Sequence, residues 1–565
     1  MKAKLLVLVF SLAAMGCSSS GNITYEDPEA LSEQLLTYQN LMEPGYLEKH
    51  LSVIAHDSLE GRDTGTEGLE KAAEYLIDQY EDIGLEPLGT EGDYRQPFDL
   101  IATREDSLTF RTYHKDTGEL LDRSIASSEA TGKFLKRMGG TIPIDEEIVF
   151  GGFGVEDYQR DIHQIDREDV QDKWVLVFED IPHEEEGDTL VNPDYDDRAR
   201  LVRLFSDRDA AGVLVIPQPD EEAFREAQEY SKSEFGEPSS LRLAYRDQDD
   251  GSSGLPKGYN TIHPELAAEI LGLEGGVEEL EDLRKQIKAD MKGFRARSTD
   301  YALDFDPYSS NVTVEASNII AIHEGSDPDL KNEAVILTSH YDHVGISEPD
   351  STGDEIYNGA DDDGSGTVAM LNIAQALSEA EDEGFAPRRS IIFLHVSAEE
   401  LGLLGSRYYS DHPTFPIEQT VANLNMDMIG RIDEAYEEKG VDEYAYLIGG
   451  DIISSEMDSL IVAANERTGN IELDNRYNDL QDPNQFYRRS DHWNLGRLRV
   501  PFAFFFSGVH EDYHRPSDEV HKIEFEKLAS IVRTIYGSAI LIANEEDRPE
   551  VDNEEFIDIT RSLAR

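Results

Sequence analysis

Four strongly apolar runs, separated by helical stretches, constrain the fold of this chain more than any other feature. They lie at Ile319–Ile322, Ala334–Leu337, Ile391–Val396 and Phe502–Phe506. Short runs without alternating polar residues are typical of strands in a sheet that is buried on both faces. Their alternation with helical stretches such as Thr367–Leu377 is typical of the α/β class. We therefore predict an α/β fold with a mixed central sheet flanked by helices.

Two helices of this domain are predicted from their patterns. Apolar side chains recur at intervals of three and four residues from Glu67 to Gly84, which predicts an amphipathic helix that ends at Gly84 and packs on the sheet. A long apolar stretch from about Ile523 to Asn544 is predicted to form the helix that closes the domain.

The pattern changes between about residues 145 and 290. Short apolar runs, such as Trp174–Phe178 and Gly212–Ile216, are separated there by acidic turns that contain glycine. This pattern predicts a small β-rich domain inserted into the α/β domain. The strongly acidic residues near the end of the chain are expected to be loose. The predicted domains are residues 43–144 and 291–546 for the α/β domain, 145–290 for the insert and 547–565 for an acidic tail.

The composition excludes several classes of protein. The 565 residues include 118 acidic and only 50 basic side chains, giving a formal net charge of −68. A surface of this sign repels nucleic acid, so we expect no nucleic-acid partner. The hydrophobic fraction of 39% is too high for a disordered chain, and a single cysteine excludes an internal disulfide. The dense carboxylate surface indicates either adaptation to high salt, where ions screen its self-repulsion, or a merely acidic surface.

The first seventeen residues have the features of an export signal. Lys2 and Lys4 precede the apolar run Leu5–Val9, and small residues follow it. The segment is too short to span a bilayer and is typical of a secretory signal.

The end of this segment, Ala14-Met15-Gly16-Cys17, resembles a bacterial lipobox, although the usual leucine is absent. The resemblance implies that residues 1–16 are removed and that Cys17 is diacylated. Residues 17–42 would then tether the protein to a membrane surface of the cell envelope, at the outer membrane or in the periplasm. Plain secretion is the alternative.

Five segments of the α/β half place possible metal ligands at or just after apolar runs, where open α/β sheets usually build their sites. Each has an ordinary alternative: a structural histidine at a strand end, an acidic turn that caps a helix, or acids that favour a helix dipole. The segments are TSHYDHVG with His340 and Asp342, NGADDDGSGT with Asp361, Asp362 and Asp363, SAEELGLLGS with Glu399 and Glu400, NLNMDMIG with Asp427, and GVHEDYHRPSD with His510, Tyr513 and His514.

Elementary chemistry favours a functional reading of these segments. Consecutive aspartates repel one another unless cations or solvent neutralise them. Asp427 interrupts an otherwise largely apolar run, where a carboxylate is costly without a partner or metal. Asp342 suits a role in orienting a neighbouring ligand histidine. The adjacent glutamates could divide two tasks, one coordinating a metal and the other moving a proton.

In order and spacing, the five segments resemble the co-catalytic zinc aminopeptidase family, which includes bacterial leucyl aminopeptidases and the glutamate carboxypeptidase and transferrin receptor relatives. The resemblance covers about residues 45–545, including the stretch LEGRDTGTEG around Arg62. The insert resembles a protease-associated domain through GGFG at 151–154, DKWVLVFE and AAGVLVIP.

The resemblance implies two zinc ions and a role for each matched residue. Glu399 matches the general base, and Tyr513 matches a residue that can hydrogen-bond the developing oxyanion. The peptide between Asp362 and Asp363 is expected to be cis. The zinc ligands implied are His340 and Asp427 for one ion, Glu400 and His514 for the other, and Asp362 as the bridge between both.

Three aspartates and three histidines near these positions lie outside the implied ligand set. Asp342 and Asp363 are expected beside the ligands, and Asp491 in the segment RRSDHW either lies near the substrate pocket or, like Ser490, simply caps a helix. The histidines His343, His395 and His510 are not ligands in the family pattern, and His395 is expected to be a hydrogen-bonded core residue.

The function implied is that of an exported metallo-exopeptidase. We expect an aminopeptidase that releases amino-terminal residues from peptides through a hydroxide held by two zinc ions, with Glu399 as the general base. A carboxypeptidase and a glutaminyl cyclase use the same scaffold, but a cyclase needs only one zinc. A non-catalytic binding protein would have lost ligands, and here every ligand position is filled. The sequence leaves open the side chain preferred at the cleaved end, the oligomeric state and the role of the insert.

Overall fold

The structure is a computed structural model of the chain. It describes residues 27–129, 132–138, 143–185, 188–233, 235–236, 240–246 and 258–561. The predicted signal and the lipidation site Cys17 lie outside the described residues. The chain divides into two units, one formed by the residues up to Asp99 and from Glu315 onward, and the other by Leu100–Val314.

The inserted unit is wider than the predicted residues 145–290. The two long strands Arg95–His114 and Arg297–His323 each carry the chain across a boundary between the units. Because continuous strands cross the boundaries, no turn or change of composition marks either of them in the sequence. The assignment of the insert as a protease-associated domain stays a prediction.

The α/β unit is built on a mixed sheet, which confirms the predicted fold class. Its four central strands run parallel to one another, whereas the flanking strands Tyr444–Gly449 and the end of Arg297–His323 pair with them in the antiparallel sense. The strand order is Glu472–Asp474, Tyr444–Gly449, Phe502–Phe506, Thr420–Met426, Ala334–His340, Ser390–Val396 and Arg297–His323, and Glu86–Pro87 also pairs with the last of these.

The helices of this unit follow from their sequences. In Glu67–Ile83, the hydroxyl of Thr66 accepts a hydrogen bond from the Leu69 amide, and Gly84 ends the helix in the left-handed conformation, as predicted. Almost every residue of Phe525–Asn544 is buried. The other helices are Pro28–Leu36, Pro44–Ile54, Gly366–Asp382, Leu404–Asp411, Glu434–Lys439, Ser455–Arg467, His492–Gly496 and Glu554–Thr560.

The acidic end of the chain is not loose throughout. Residues Glu554–Thr560 form a short helix, and its Phe556 is fully buried against Phe502 and Trp493. Burial of this aromatic side chain therefore helps to fix a segment for which composition predicted a free tail.

The inserted unit is β-rich, as predicted, but also contains helices. The predicted runs Trp174–Phe178 and Gly212–Ile216 form adjacent parallel strands at its centre, and Trp174 is fully buried. Its other strands are Leu120–Ser127, Phe134–Met138, Ile144–Phe150, Glu156–Asp157, Ile162–His163, Glu184–Glu185, Asp188–Thr189, Arg242–Leu243 and Tyr259–Ile262, and its helices are Arg167–Val170, Asp197–Val202, Glu221–Ser233, Pro264–Ile270 and Gly276–Ala289.

Within the part of the chain that the structure describes, every helix is too short or too polar to cross a bilayer.

Candidate dinuclear metal centre

The predicted site residues meet at one edge of the α/β sheet. The central strands are parallel, so their carboxyl ends lie at the same edge. His340 is the last residue of its strand, Asp427 directly follows Thr420–Met426, and Glu399 follows Ser390–Val396 after two residues. The topology therefore brings together side chains that are far apart in the sequence.

The five predicted metal ligands converge around Asp362. One carboxylate oxygen of Asp362 lies 3.1 Å from His340 Nε2, which is 3.7 Å from Asp427 Oδ1. The other oxygen lies 3.1 Å from His514 Nε2, which is also 3.1 Å from Glu400 Oε2. Asp362 thus turns one oxygen to each histidine, as a carboxylate that bridges two cations would.

The structure adds a third histidine to this cluster. His343 Nδ1 lies 2.8 Å from Glu400 Oε1 and 3.9 Å from Asp362 Oδ2, and the side chain is fully buried. Sequence reasoning placed His343 outside the ligand set. Its position three residues after His340, at the same strand end, was the signal that could have included it. The candidate ligand atoms around Glu400 thus include one more imidazole than predicted.

The residues present fit a pair of divalent cations. Imidazole nitrogens and carboxylate oxygens are the donors that zinc accepts. Both ring nitrogens of His343, His514 Nε2 and Glu400 Oε1 have no hydrogen-bond partner of acceptable geometry among the described residues. His343 Nδ1 nonetheless lies 2.8 Å from Glu400 Oε1, and His514 Nε2 lies 3.1 Å from Glu400 Oε2, an arrangement that a shared cation explains.

The electrostatics of the cluster also favour positive charge. Burial alone would lower the pKa of His514, but the carboxylates of Asp362 and Glu400 outweigh it and raise the pKa to about 10. Burial alone would raise the pKa of Asp362, yet the adjacent imidazoles of His340 and His514 hold it well below its usual range. In both cases the site stabilises a cation beside the bridging carboxylate.

Asp342 fixes the segment that carries the two glutamates. Its carboxylate accepts hydrogen bonds from the backbone amides of Glu399 and Glu400, at 3.2 and 3.4 Å. It orients His340 through its backbone carbonyl, 3.1 Å from His340 Nδ1, whereas sequence reasoning favoured the carboxylate. Burial raises the pKa of Asp342 to about 7. Asp342 therefore couples the first ligand to the predicted base.

Asp363 has a comparable role in the loop that carries Asp362. Its carboxylate accepts hydrogen bonds from the backbone amides of His340, Gly366 and Met428, at 3.2, 2.9 and 3.4 Å. A Cβ atom on Gly366 would lie 2.5 Å from this carboxylate, so only glycine allows the approach. The peptide bond between Asp362 and Asp363 is cis, as predicted.

Arg62 holds the same loops from the other side. Its buried guanidinium donates to the carbonyl oxygens of Tyr341, Asn358, Gly359 and Ile54, at 2.6 to 3.0 Å. The first three carbonyls belong to the segments that carry His340 and Asp362, and the fourth ends the helix Pro44–Ile54. Sequence reasoning named Arg62 only as part of a matched motif, because its partners are backbone atoms that no sequence pattern identifies.

Left-handed backbone conformations accompany three of the ligand segments. His514 itself, Ala398 before Glu399 and Met428 after Asp427 have φ of 53°, 57° and 55°. Non-glycine residues rarely adopt positive φ, and such residues cluster at functional sites.

A pocket opens in front of the metal ligands. Tyr513 lies at its wall and stacks on His514 with 3.9 Å between the ring centroids. Burial, with the nearby carboxylates, raises the pKa of Tyr513, so its hydroxyl stays protonated at neutral pH. The remaining wall is partly apolar. The lining residues are Asp362, Glu399, Glu400, Asp427, Met428, Phe486, Arg489, Phe504, Phe506, Val509 and Tyr513.

Asp491 is not among the residues that line this pocket. Its side chain is buried and makes no capping hydrogen bond to the helix His492–Gly496. Burial raises its pKa to about 6, and Ser406 lies beside it. Ser490 also does not cap the helix, since its hydroxyl accepts a hydrogen bond from Asn425 Nδ2 at 2.9 Å. Asp491 is therefore buried close enough to His340, Asp427 and Glu400 to interact with them electrostatically, but it does not line the pocket.

Two histidines outside the family pattern have structural partners. His395 is buried and lies 2.7 Å from the Tyr80 hydroxyl and 3.0 Å from Ser339 Oγ, which confirms the predicted core role. His510 Nε2 lies 3.3 Å from Asp361 Oδ2. Neither one contributes to the two ligand clusters found among the described residues.

Comparisons with known proteins agree with this geometry. Residues 318–539 match the sequence model of Peptidase family M28. The chain is 28% identical over 245 residues to the aminopeptidase YwaD of Bacillus subtilis (42% of this chain and 46% of the relative), and 30% identical over 231 residues to the probable leucine aminopeptidase 2 of Aspergillus oryzae (41% and 40%). The matches thus span less than half the length of either relative.

A solved aminopeptidase from an Aneurinibacillus strain covers 93% of this chain and 98% of its own, at 18% identity and a TM-score of 0.45. The family match begins at Asn318 and contains all five predicted metal ligands. Residues 318–539, which carry the candidate metal centre, thus match peptidase family M28.

Proposed function

We propose that this chain is a zinc-dependent aminopeptidase that removes amino-terminal residues from peptides. The observation that carries the proposal is the convergence of the ligand residues on Asp362, with a histidine 3.1 Å from each of its oxygens. The sequence relatives are named as aminopeptidases, which supports this member of the family over a carboxypeptidase or a cyclase. His340, Asp427, Asp362, Glu400 and His514 would hold two zinc ions.

Glu399 is the proposed general base. A pair of zinc ions, when bound, lowers the pKa of water and so supplies a nucleophile near neutral pH. Glu399 lines the pocket, and its backbone amide is held by Asp342. Burial raises its pKa well above the usual range of a glutamate, which suits a group that takes a proton and then delivers it to the leaving amine.

Tyr513 is the proposed oxyanion donor. Its hydroxyl is protonated at neutral pH, and the stacking of its ring on His514 fixes its position beside the ligands. A donor fixed before the reaction stabilises the developing oxyanion without the cost of reorganisation.

The test combines metal analysis with hydrolysis of matched substrates. Purified protein loaded with zinc should contain two zinc ions per chain and should hydrolyse leucine and alanine anilides that have a free amine. The N-acetylated anilides should be poor substrates. Cleavage only of N-blocked peptides with a free carboxylate would instead identify a carboxypeptidase, and cyclisation of an amino-terminal glutamine a cyclase.

We also propose that the protein is exported and anchored by lipid on Cys17. The proposal is supported by the charged, apolar and small-residue order of residues 1–17. The full chain, when expressed, should associate with the membrane and incorporate labelled fatty acid. The variant Cys17→Ser should be released and should incorporate none. Equal partition of both forms would contradict the anchor.

A further inference from the structure

Arg489 is the only basic side chain among the described residues that line the pocket. The rest of the wall consists of the metal-binding carboxylates, the predicted base, Tyr513 and apolar side chains. Arg489 is exposed, and in a chain with more than twice as many acidic as basic residues we expect such an arginine to form an ion pair.

Arg489 does not form one. No acidic side chain of the described residues lies within ion-pair distance of its guanidinium, in contrast to the nearby Arg497 and Arg431, which pair with Asp411 at 3.3 Å and with Asp512 at 2.9 Å. The guanidinium instead lies over the ring of Phe486, 5.2 Å from the centroid. This contact orients the cation but leaves its hydrogen-bond donors available.

The backbone around Arg489 is tied to the metal centre. Its amide donates to the Phe486 carbonyl at 3.2 Å, and the next residue, Ser490, is buried and bonded to Asn425. Asn425 precedes the ligand Asp427 by two residues on the same chain segment. The backbone of Arg489 is therefore held at a fixed place beside the proposed reacting centre.

We infer that Arg489 binds a carboxylate of the substrate, so that the pocket favours peptides with an anionic group close to the scissile bond. The inference rests on the proposed peptidase function. A guanidinium presents two parallel N–H donors that match a carboxylate, and an unpaired guanidinium at a pocket wall provides this match without breaking an internal ion pair. The carboxylate comes either from an acidic side chain at the amino terminus or from the carboxyl terminus of a short peptide.

The adjacent Arg488 provides a matched control. It is also exposed, lies over the Tyr487 ring at 6.0 Å and is hydrogen-bonded to Gln485, but it does not line the pocket. Arg488→Gln removes the same charge from the next residue. An effect of net charge alone would therefore appear in both variants, whereas direct binding would appear only in Arg489→Gln.

The experiment compares kcat/KM for two substrate pairs in the zinc-loaded full chain. The comparison of glutamate anilide with glutamine anilide measures the effect of an acidic side chain. The comparison of alanyl-alanine with alanyl-alanine amide measures the effect of a terminal carboxylate. We expect the wild type to prefer the acid in at least one pair. Arg489→Gln should reduce that preference by about tenfold or more, Arg489→Lys should retain part of it, and Arg488→Gln should retain all of it.

The outcomes separate this inference from the proposed function. Loss of preference in the first pair identifies an acidic amino-terminal residue, and loss in the second a carboxyl terminus. Hydrolysis of both pairs with the same preference in the wild type and in Arg489→Gln overturns the inference and leaves the peptidase function standing. No hydrolysis of any substrate by the zinc-loaded wild type overturns both. Thermal unfolding of each variant checks that this exposed residue has been replaced without loss of the fold.

Discussion

The two halves of the metal centre are built differently. His340 and Asp427 lie on or directly after strands, and His340 is 1% exposed. His514 lies in a loop after the last strand, has a left-handed backbone and is 37% exposed at its side chain. The first half is therefore fixed by the sheet, whereas the second depends on loop structure and on the additional histidine His343. We expect the first half to bind its ion more tightly.

The largest effect is expected at the one residue that the two halves share. Asp362→Asn removes the negative charge that both cations would share, so zinc should fall well below two per chain and kcat/KM by about a thousandfold or more. Metal analysis and anilide hydrolysis measure the two quantities, with the exposed Glu348→Gln as a control for loss of charge. Retention of two tightly bound ions would show that the halves are independent.

Glu399→Gln should leave both halves intact. Glutamine keeps the shape but cannot accept the proton, so kcat should fall by at least about a hundredfold while zinc content stays close to two per chain. The same preparation serves for metal analysis and for turnover. Turnover close to that of the wild type would exclude Glu399 as the base.

His343→Gln should weaken only the second half. Its imidazole lies 2.8 Å from Glu400 Oε1 and is absent from the cluster around Asp427, so we expect about a 10- to 100-fold loss of affinity for one of two ions. Titration with a chelator, followed as zinc released per chain, resolves the two sites. Equal loss at both sites, or at neither, would contradict the difference drawn between the halves.

The smallest effect is expected at His395, a histidine in the same sheet whose replacement should affect neither half of the centre. Burial lowers the pKa of His395 to about 3, from about 6.5 in the unfolded chain. Between these values the unfolded state binds a proton that the native state does not, so stability is lost as the pH falls below about 6.5. His395→Gln removes this contribution.

From pH 7 to pH 5, the free energy of unfolding of the variant should therefore fall by about 1 to 2 kcal/mol less than that of the wild type. Urea unfolding at both pH values measures the difference, and zinc content should not change. The same pH dependence in both proteins would show that His395 is not held neutral in the fold.

Much of the α/β unit could be predicted because its signals are local. A fully buried strand must be apolar along its whole length, so the run Phe502–Phe506 was predicted with its observed bounds. The helix Glu67–Ile83 was predicted from its period and its final glycine. The ligand set was predicted from a family pattern, since the segments that carry metal ligands are short and keep their order in the chain.

Other features have no local signal. The boundaries of the insert lie inside continuous strands, and Phe556 looks like any apolar residue in an acidic segment until its burial is known. Arg62 acts on backbone carbonyls, and Arg489 is distinguished only by its place in the pocket and by the absence of an ion-pair partner among the described residues. These properties depend on neighbours that are distant in sequence.

The amino-acid sequence by itself determined the α/β class and the central strands, because periodicity and burial patterns are properties of short segments, and its family pattern predicted five ligands and a base. Only the tertiary structure decided which oxygen of Asp362 turns to which histidine, that His343 joins one half of the centre, and that Arg489 lines the pocket. Such contacts arise when a parallel sheet aligns the ends of strands from separate parts of the chain, and distances between them are set by packing rather than by sequence spacing.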